Sequence, residues 1–205
     1  MLHIAGSVAA DMPAGVMRAM FAARKKVFVD LLKWDVPVLA AEFEVDQFDG
    51  QHAHYLVLAN EDGAHLGSAR LLPTLRPHIL DSLYPDLCER PVPRDANIFE
   101  ITRFCLDRSL SARDRRVVRD TLVVALAEHA LANGITAYTA IAEIRWFQQI
   151  LSFGWHCQPL GLPGPHGGKL LAALRIEIGA DTPALLAQAG IAALPTLIGA
   201  DRAAA

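Results

Sequence analysis

Residues 98–106 read Ile-Phe-Glu-Ile-Thr-Arg-Phe-Cys-Leu, an apolar run interrupted by Glu100 and Arg103. Unpaired charges in a buried strand are costly, so each needs a partner or a task. Glu100 is a candidate general base, because a strand would hold its carboxylate rigidly. Arg103 is a candidate grip for a carboxylate, through its planar donor fork. Strict alternation sends the two side chains to opposite faces, so a bulge or another partner is needed to bring both to one cleft. A structural ion pair is the plainer alternative. Arg24 falls on the apolar face of an N-terminal helix pattern with Met17, Met20, Phe21, Phe28 and Leu31. Its stem can cover core there while its head reaches solvent or an anion. The next stretch, residues 34–50, lacks a period and carries Glu42, Glu44, Asp46 and Asp49. These acids read as a solvated loop or as counter-charges for a cationic ligand. Their spacing matches no calcium loop, and no metal is expected. Arg70 stands among leucines on a strand pattern, as an edge residue or an inward anion-binding group. Phe28, Trp34 and Phe104 can wall a site, and Trp34 can face a cation or a flat ring.

The elements that must position these residues follow from periodicity and punctuation. The first helix covers residues 16–32, with Asp11 as its cap and Pro13 in its first turn. Residues 54–60 and 65–72 form a hairpin around Glu61-Asp62-Gly63, and Leu66, Ser68, Arg70 and Leu72 share one face of its second strand. Residues 76–95 contain four prolines and form a long irregular excursion of the kind that covers binding sites. A long helix over residues 111–133 stops at Gly134, and a strand over residues 135–142 follows. Then come a helix over residues 143–153, strands over residues 155–159 and 170–178, and a short helix over residues 181–189 capped by Asp181. This order predicts an α/β fold, a three-layer sandwich with a mixed central sheet. The chain reads as one domain, residues 1–205, with a flexible tail from residue 196.

Bulk properties exclude several classes. A net charge of -3 and a pI of about 6.2 give no support for nucleic-acid binding. No apolar stretch is long enough for a membrane span, and the start lacks a signal-peptide pattern. Cys88, Cys105 and Cys157 include no CxxC pair, which fits a cytoplasmic protein without disulfides or zinc. His156 and Cys157 are neighbours on a strand and point to opposite faces, so they make no catalytic pair. The sequence has no Gly-x-Ser-x-Gly elbow for a serine hydrolase.

Taken together, the motifs resemble those of the acyl-homoserine-lactone synthases, the autoinducer synthase family. Arg24-x-x-Val27-Phe28 followed by Trp34 is similar to the family's N-terminal motif, and Glu44-x-Asp46-x-x-Asp49 to its acidic motif. Arg70 stands where the family has an arginine after the hairpin. Glu100-x-x-Arg103-Phe104 is similar to its Glu-x-x-Arg-Phe, with Thr102 where serine is common. The resemblance implies a fold like that of the GCN5-related N-acetyltransferases. There, a V-shaped cleft between two parallel strands, here residues 98–106 and 135–142, admits an acyl thioester. Independently, a parallel pair needs a long crossover, which the helix over residues 111–133 supplies.

The resemblance also implies the reaction. The amine of S-adenosylmethionine takes an acyl chain from a thioester; its carboxylate then closes the lactone and expels methylthioadenosine. S-adenosylmethionine is a substrate, and no cofactor is expected. Glu100, Arg24 and Asp46 are the catalytic candidates. Phe28, Trp34, Glu44, Asp49, Arg70, Arg103 and Phe104 are the substrate-binding ones, although Asp46 and Arg70 can instead pair to fix an N-terminal lid. Thr139 stands about where a threonine accompanies 3-oxo chains in some relatives, or is an ordinary strand residue. The acyl donor is acyl carrier protein or acyl-CoA. The carrier is acidic, so Arg113, Arg116 and Arg145 are candidates for its docking face; the alternative is a solvated face balanced by Asp114 and Asp120. Two other functions stay open. One is a CoA-dependent N-acyltransferase acting on another amine, which the absence of glycine in residues 110–116 disfavours. The other is a non-catalytic relative that binds acyl carrier.

Overall fold

The computed structural model describes residues 1–5 and 12–198. The expected cap Asp11 and the end of the expected tail, residues 199–205, lie outside them.

An eight-stranded sheet runs in the order β1 (Leu2–Ala5), β4 (His54–Ala59), β5 (His65–Pro73), β6 (Ile98–Leu106), β7 (Ala137–Glu143), β10 (Lys169–Glu177) and β8 (Cys157–Pro159), with β9 (Gly164–His166) also paired to β10. β6 and β7 are parallel, in register from Ile98↔Ala137 to Ile101↔Ala140. β7 and β10 are antiparallel, so the sheet is mixed as the sequence predicts. The remaining elements are α1 (Ala14–Arg24), the two-residue strands β2 (Val38–Leu39) and β3 (Phe43–Glu44), α2 (Ile79–Leu83), α3 (Ala112–Ala132), α4 (Ile144–Leu151), α5 (Thr182–Gln188) and α6 (Pro195–Ile198).

The chain divides into two compact units. The first holds Met1–Arg70, Arg103–Ala125 and Ala192–Ala205. Here β1 pairs antiparallel with β4, whose Leu56, Val57, Leu58 and Ala59 are fully buried. α1 packs on β3 and β4. α3 approaches β5 at Gly67, where a Cβ would come within 2.7 Å of Val118 Cγ1, so the contact requires glycine. Ser111 caps α3: its Oγ accepts from Asp114 N at 3.1 Å and donates to the Asp114 carboxylate at 2.7 Å.

The second unit holds Leu71–Thr102 and Leu126–Ile191. Its centre is the β7–β10 ladder, with α4 packed on both strands. Tyr138 on β7 donates to the Leu126 carbonyl at 3.0 Å, and Trp155 Nε1 to the Ile150 carbonyl at 3.0 Å. Leu80, Leu87 and Ala173 form a buried apolar cluster lined by Tyr84, Ile141, Leu160 and others.

Several elements differ from the sequence expectation. The first helix is α-helical only to Arg24 and continues as a π-helix over Lys25–Leu31. The wider turn shifts the helical phase, and Leu31, expected on the apolar face, is 48% exposed. The irregular excursion contains α2 and a 3₁₀ turn, Pro85–Leu87. Asp181 makes no side-chain cap of α5. It pairs with His156 at 3.1 Å, while Thr182 Oγ1 accepts from Gly179 N at 2.9 Å. α6 takes in residues 196–198 of the expected tail.

Candidate active site

The first unit carries a network of three arginines and three carboxylates. Arg24 ends α1 at 1% exposure, so its head is buried and does not reach solvent. Its Nε donates to Glu44 Oε2 at 2.5 Å, and Nη1 and Nη2 grip Asp49 at 2.8 and 2.7 Å. Arg70, on β5, grips Asp46 at 2.6 and 3.0 Å and meets Asp49 at 2.8 Å. Arg103 donates to Glu44 Oε1 at 3.0 Å and to Asp46 Oδ2 at 2.6 Å. Each carboxylate therefore holds two arginines, and the positive and negative charges balance. Such satisfaction is what makes buried charge tolerable. Burial opposes Arg24's charge, but the hydrogen bonds and charges of Asp49 and Glu44 outweigh it and raise its pKa above the ordinary arginine value. Burial likewise opposes ionisation of Asp49, and the Arg24 hydrogen bond with the charges of Arg70 and Arg24 overcomes it, holding the carboxyl well below the usual range.

Local backbone makes the network possible. Arg103 adopts a left-handed φ of 50°, which interrupts the regular backbone of β6. In the acidic stretch, Asp46 Oδ1 accepts from Phe48 N at 2.8 Å, and Asp49 Oδ2 from Asp46 N at 2.9 Å. These local bonds shape the turn that aims the acids inward. Tyr55, on β4, donates to Asp49 Oδ1 at 2.8 Å. Sequence reasoning missed it; the available signal was a phenol inside an apolar strand, whose hydroxyl needs a partner.

Beside the network, Phe28 and Trp34 stack with ring centroids 4.7 Å apart. The π-helix makes this contact, since Trp34 N donates to the Phe28 carbonyl at 2.8 Å as the turn closes. Arg103 lies over both rings, 5.6 Å from Phe28 and 5.9 Å from Trp34. Phe28 is buried, and Trp34 and Phe104 are half-buried. So the structure gathers Arg24, Phe28, Trp34, Glu44, Asp46, Asp49, Arg70 and Arg103. Arg24's fork is occupied by Glu44 and Asp49, and the acids face arginines within the fold. The alternative pairing of Asp46 with Arg70 is the one observed. Among the described residues no group of three or more His, Cys, Asp or Glu could hold a metal ion.

Glu100 and Thr139 belong to the second unit. Glu100 is fully buried, and its Oε2 and Oε1 accept from Ile79 N at 2.8 Å and Leu80 N at 3.0 Å, the first amides of α2. Thr139 is its register partner on β7 and is fully buried. The cysteines are not activated: burial pushes the Cys105 thiol up to about 12 and Cys157 up to about 11. The docking candidates Arg113 and Arg116 on α3 and Arg145 on α4 are exposed. No helix among the described residues is long and apolar enough to cross a membrane.

The family model of the autoinducer synthases matches residues 10–183. The chain belongs to the autoinducer synthase family. An acyl-homoserine-lactone synthase of Ralstonia nicotianae is 33% identical over 192 residues, covering 90% of this chain and 93% of the relative. A structure of the CoA-dependent acyl-homoserine lactone synthase BjaI with MTA superposes with a TM-score of 0.82 at 29% identity, covering 93% of this chain and 90% of that one. The chain is thus an acyltransferase that makes an acyl-homoserine lactone, a quorum-sensing signal. A putative N-acetyltransferase from Lactobacillus plantarum, 16% identical with a TM-score of 0.57 over 87% of this chain and 99% of that one, shares the fold alone. It bears out the acetyltransferase-like α/β architecture.

Proposed function

We propose that S-adenosylmethionine is bound on the aromatic surface of Phe28 and Trp34 beside Arg103, with the ion network behind it fixing residues 24–49 in the binding shape. The observation that carries this reading is the network itself: three arginines and three carboxylates satisfy one another, so they serve as a scaffold, and the stacked rings of Phe28 and Trp34 beside them give an aromatic surface suited to a sulfonium or adenine. The bound MTA of BjaI, the leaving group of such a reaction, supports it.

The substrate amine attacks the acyl thioester, the thiol leaves, and the methionyl carboxylate then displaces methylthioadenosine from its own γ-carbon. The sulfonium is a good leaving group, so the second step needs mainly positioning. Glu100, held rigidly on β6, takes the amine proton, directly or through water. Phe104 is a proposed substrate contact of the first unit and Thr139 of the second. The acyl donor in this reading is carrier protein, docked through exposed Arg113 and Arg116; Arg145, on the second unit, is a separate exposed candidate. Acyl-CoA is the second reading, favoured by the likeness to CoA-dependent BjaI. The enzyme uses no cofactor, acts as a single catalytic domain over residues 1–205, and works in the cytoplasm.

Mass spectrometry of lactones extracted from a non-producing expression host tests this function. The expected product is an N-acyl homoserine lactone, which also defines the chain transferred. Acylation of another amine instead would identify a CoA-dependent N-acyltransferase. Folded protein without any acylated product would identify a non-catalytic relative.

A further inference from the structure

Tyr55 on β4 is buried, with its ring edge-on to Phe21 at a centroid distance of 6.1 Å. Its hydroxyl donates to Asp49 Oδ1 at 2.8 Å. Burial, and then the Asp49 charge, push the phenol well above the ordinary tyrosine range, so it stays a donor. The same oxygen meets Arg24 Nη1 and Arg70 Nη1, each at 2.8 Å, while Oδ2 accepts from Arg24 Nη2 and the Asp46 amide. Asp49 therefore keeps two guanidinium partners without the tyrosine, and the network balances its charges without it. A phenylalanine would fill the same space. A buried hydroxyl costs stability unless it is bonded, so its place on Asp49 calls for a use beyond neutralising charge.

That use is position. Arg24 rides on α1, whereas Tyr55 belongs to β4, which is hydrogen-bonded into the sheet between β1 and β5. The chain of bonds from Tyr55 through Asp49 to Arg24 thus ties the last turn of α1 to the sheet. The tyrosine ring adds a second tie to that turn: Phe21 packs against Tyr55, and the Arg24 guanidinium lies 5.0 Å from the Phe21 ring centre. From Arg24 the helix runs on without a break into the π-helix that carries Phe28. Its last turn closes where Trp34 N donates to the Phe28 carbonyl. A shift of Arg24 is therefore passed to the Phe28–Trp34 stack about one turn away.

We propose that Tyr55 is a positioning residue for S-adenosylmethionine: its hydroxyl, acting through Asp49 and Arg24, sets where the Phe28–Trp34 surface stands. It has no part in the bonds made and broken. This proposal rests on the reading above that S-adenosylmethionine lies on that surface.

The test uses the purified full chain, with methylthioadenosine as the binding probe and S-adenosylmethionine with an acyl thioester for turnover. Tyr55→Phe keeps the ring against Phe21 and removes only the hydroxyl. Losing a hydrogen bond to a charged group should weaken methylthioadenosine binding about tenfold and raise KM for S-adenosylmethionine by a similar factor. Both kcat and KM for the acyl thioester should stay within about twofold of wild type. Tyr138→Phe is the control. It removes another buried phenol bond, to the Leu126 carbonyl, and should lower the melting temperature while leaving both nucleoside affinities unchanged. Wild-type nucleoside affinities in folded Tyr55→Phe would overturn the positioning role and leave the surface reading standing. So would an equal rise in KM for the acyl donor, or a Tyr55→Phe chain that does not fold. Trp34→Leu tests the surface reading by itself: wild-type affinity for methylthioadenosine there would overturn that reading and the role of Tyr55 with it.

Discussion

Glu100 is a carboxylate with a place in the fold as well as a proposed place in the chemistry. It seats two amides of α2, and it is also the proposed base. The two roles make a joint prediction for Glu100→Gln. The amide side chain presents N–H where an acceptor is required, leaving a backbone N–H unsatisfied at a cost of about 1–3 kcal/mol. Loss of the base removes about 10²–10⁴-fold of kcat. A lowered melting temperature and a lowered kcat are therefore both expected. A folded variant with wild-type kcat at pH 7 would exclude Glu100 as base, and an unchanged melting temperature would contradict its structural role. Much of this site was legible at the level of residues: the charges at 24, 44, 46, 49, 70 and 103 were all singled out. Their partners were not legible, because pairing among six charges depends on three-dimensional placement. The φ of 50° at Arg103 carries no glycine or asparagine signal.

At the scale of elements, legibility followed the regularity of the pattern. β6 spans the residues its apolar run predicts, and α3 ends before the glycine stop read from the sequence. The hairpin of β2 and β3 gave no such signal, because Ala40 and Ala41 take φ of 51° and 56°, positions where glycine or asparagine is the usual marker. The π-helix was equally silent, since its single shift of phase lies within a sequence that still looks α-helical. α3 also carries the proposed docking face. Arg113 and Arg116 on it are exposed. Like charge at a helix start is not favoured by the helix dipole, which is consistent with retention for a partner. An exposed charge pair contributes up to about 1 kcal/mol, so Arg116→Glu should raise KM for acyl carrier protein by roughly fivefold. It should leave KM for S-adenosylmethionine nearly unchanged, and the wild-type carrier KM should rise with salt as screening shortens. Indifference to the charge reversal, or preference for acyl-CoA, would count against carrier docking here.

For the whole molecule, the α/β class and mixed sheet were legible because a long helix between two apolar strands requires a parallel crossover. The division into two units was not, since β5 and β6 each pass from one unit into the other, at Arg70–Leu71 and Thr102–Arg103, without any linker composition. β1 also escaped notice: four residues are too few for a period to show, and its strand identity comes from pairing with β4. The family match and the buried ion network together make the central claim that this chain couples acyl transfer to lactone closure. The most direct measurement is the simultaneous release of thiol and methylthioadenosine by purified protein given S-adenosylmethionine and an acyl thioester. Both should appear at equal rates, in a one-to-one ratio, once turnover is steady. Thiol release without methylthioadenosine would contradict the coupling and leave a plain acyltransferase or thioesterase.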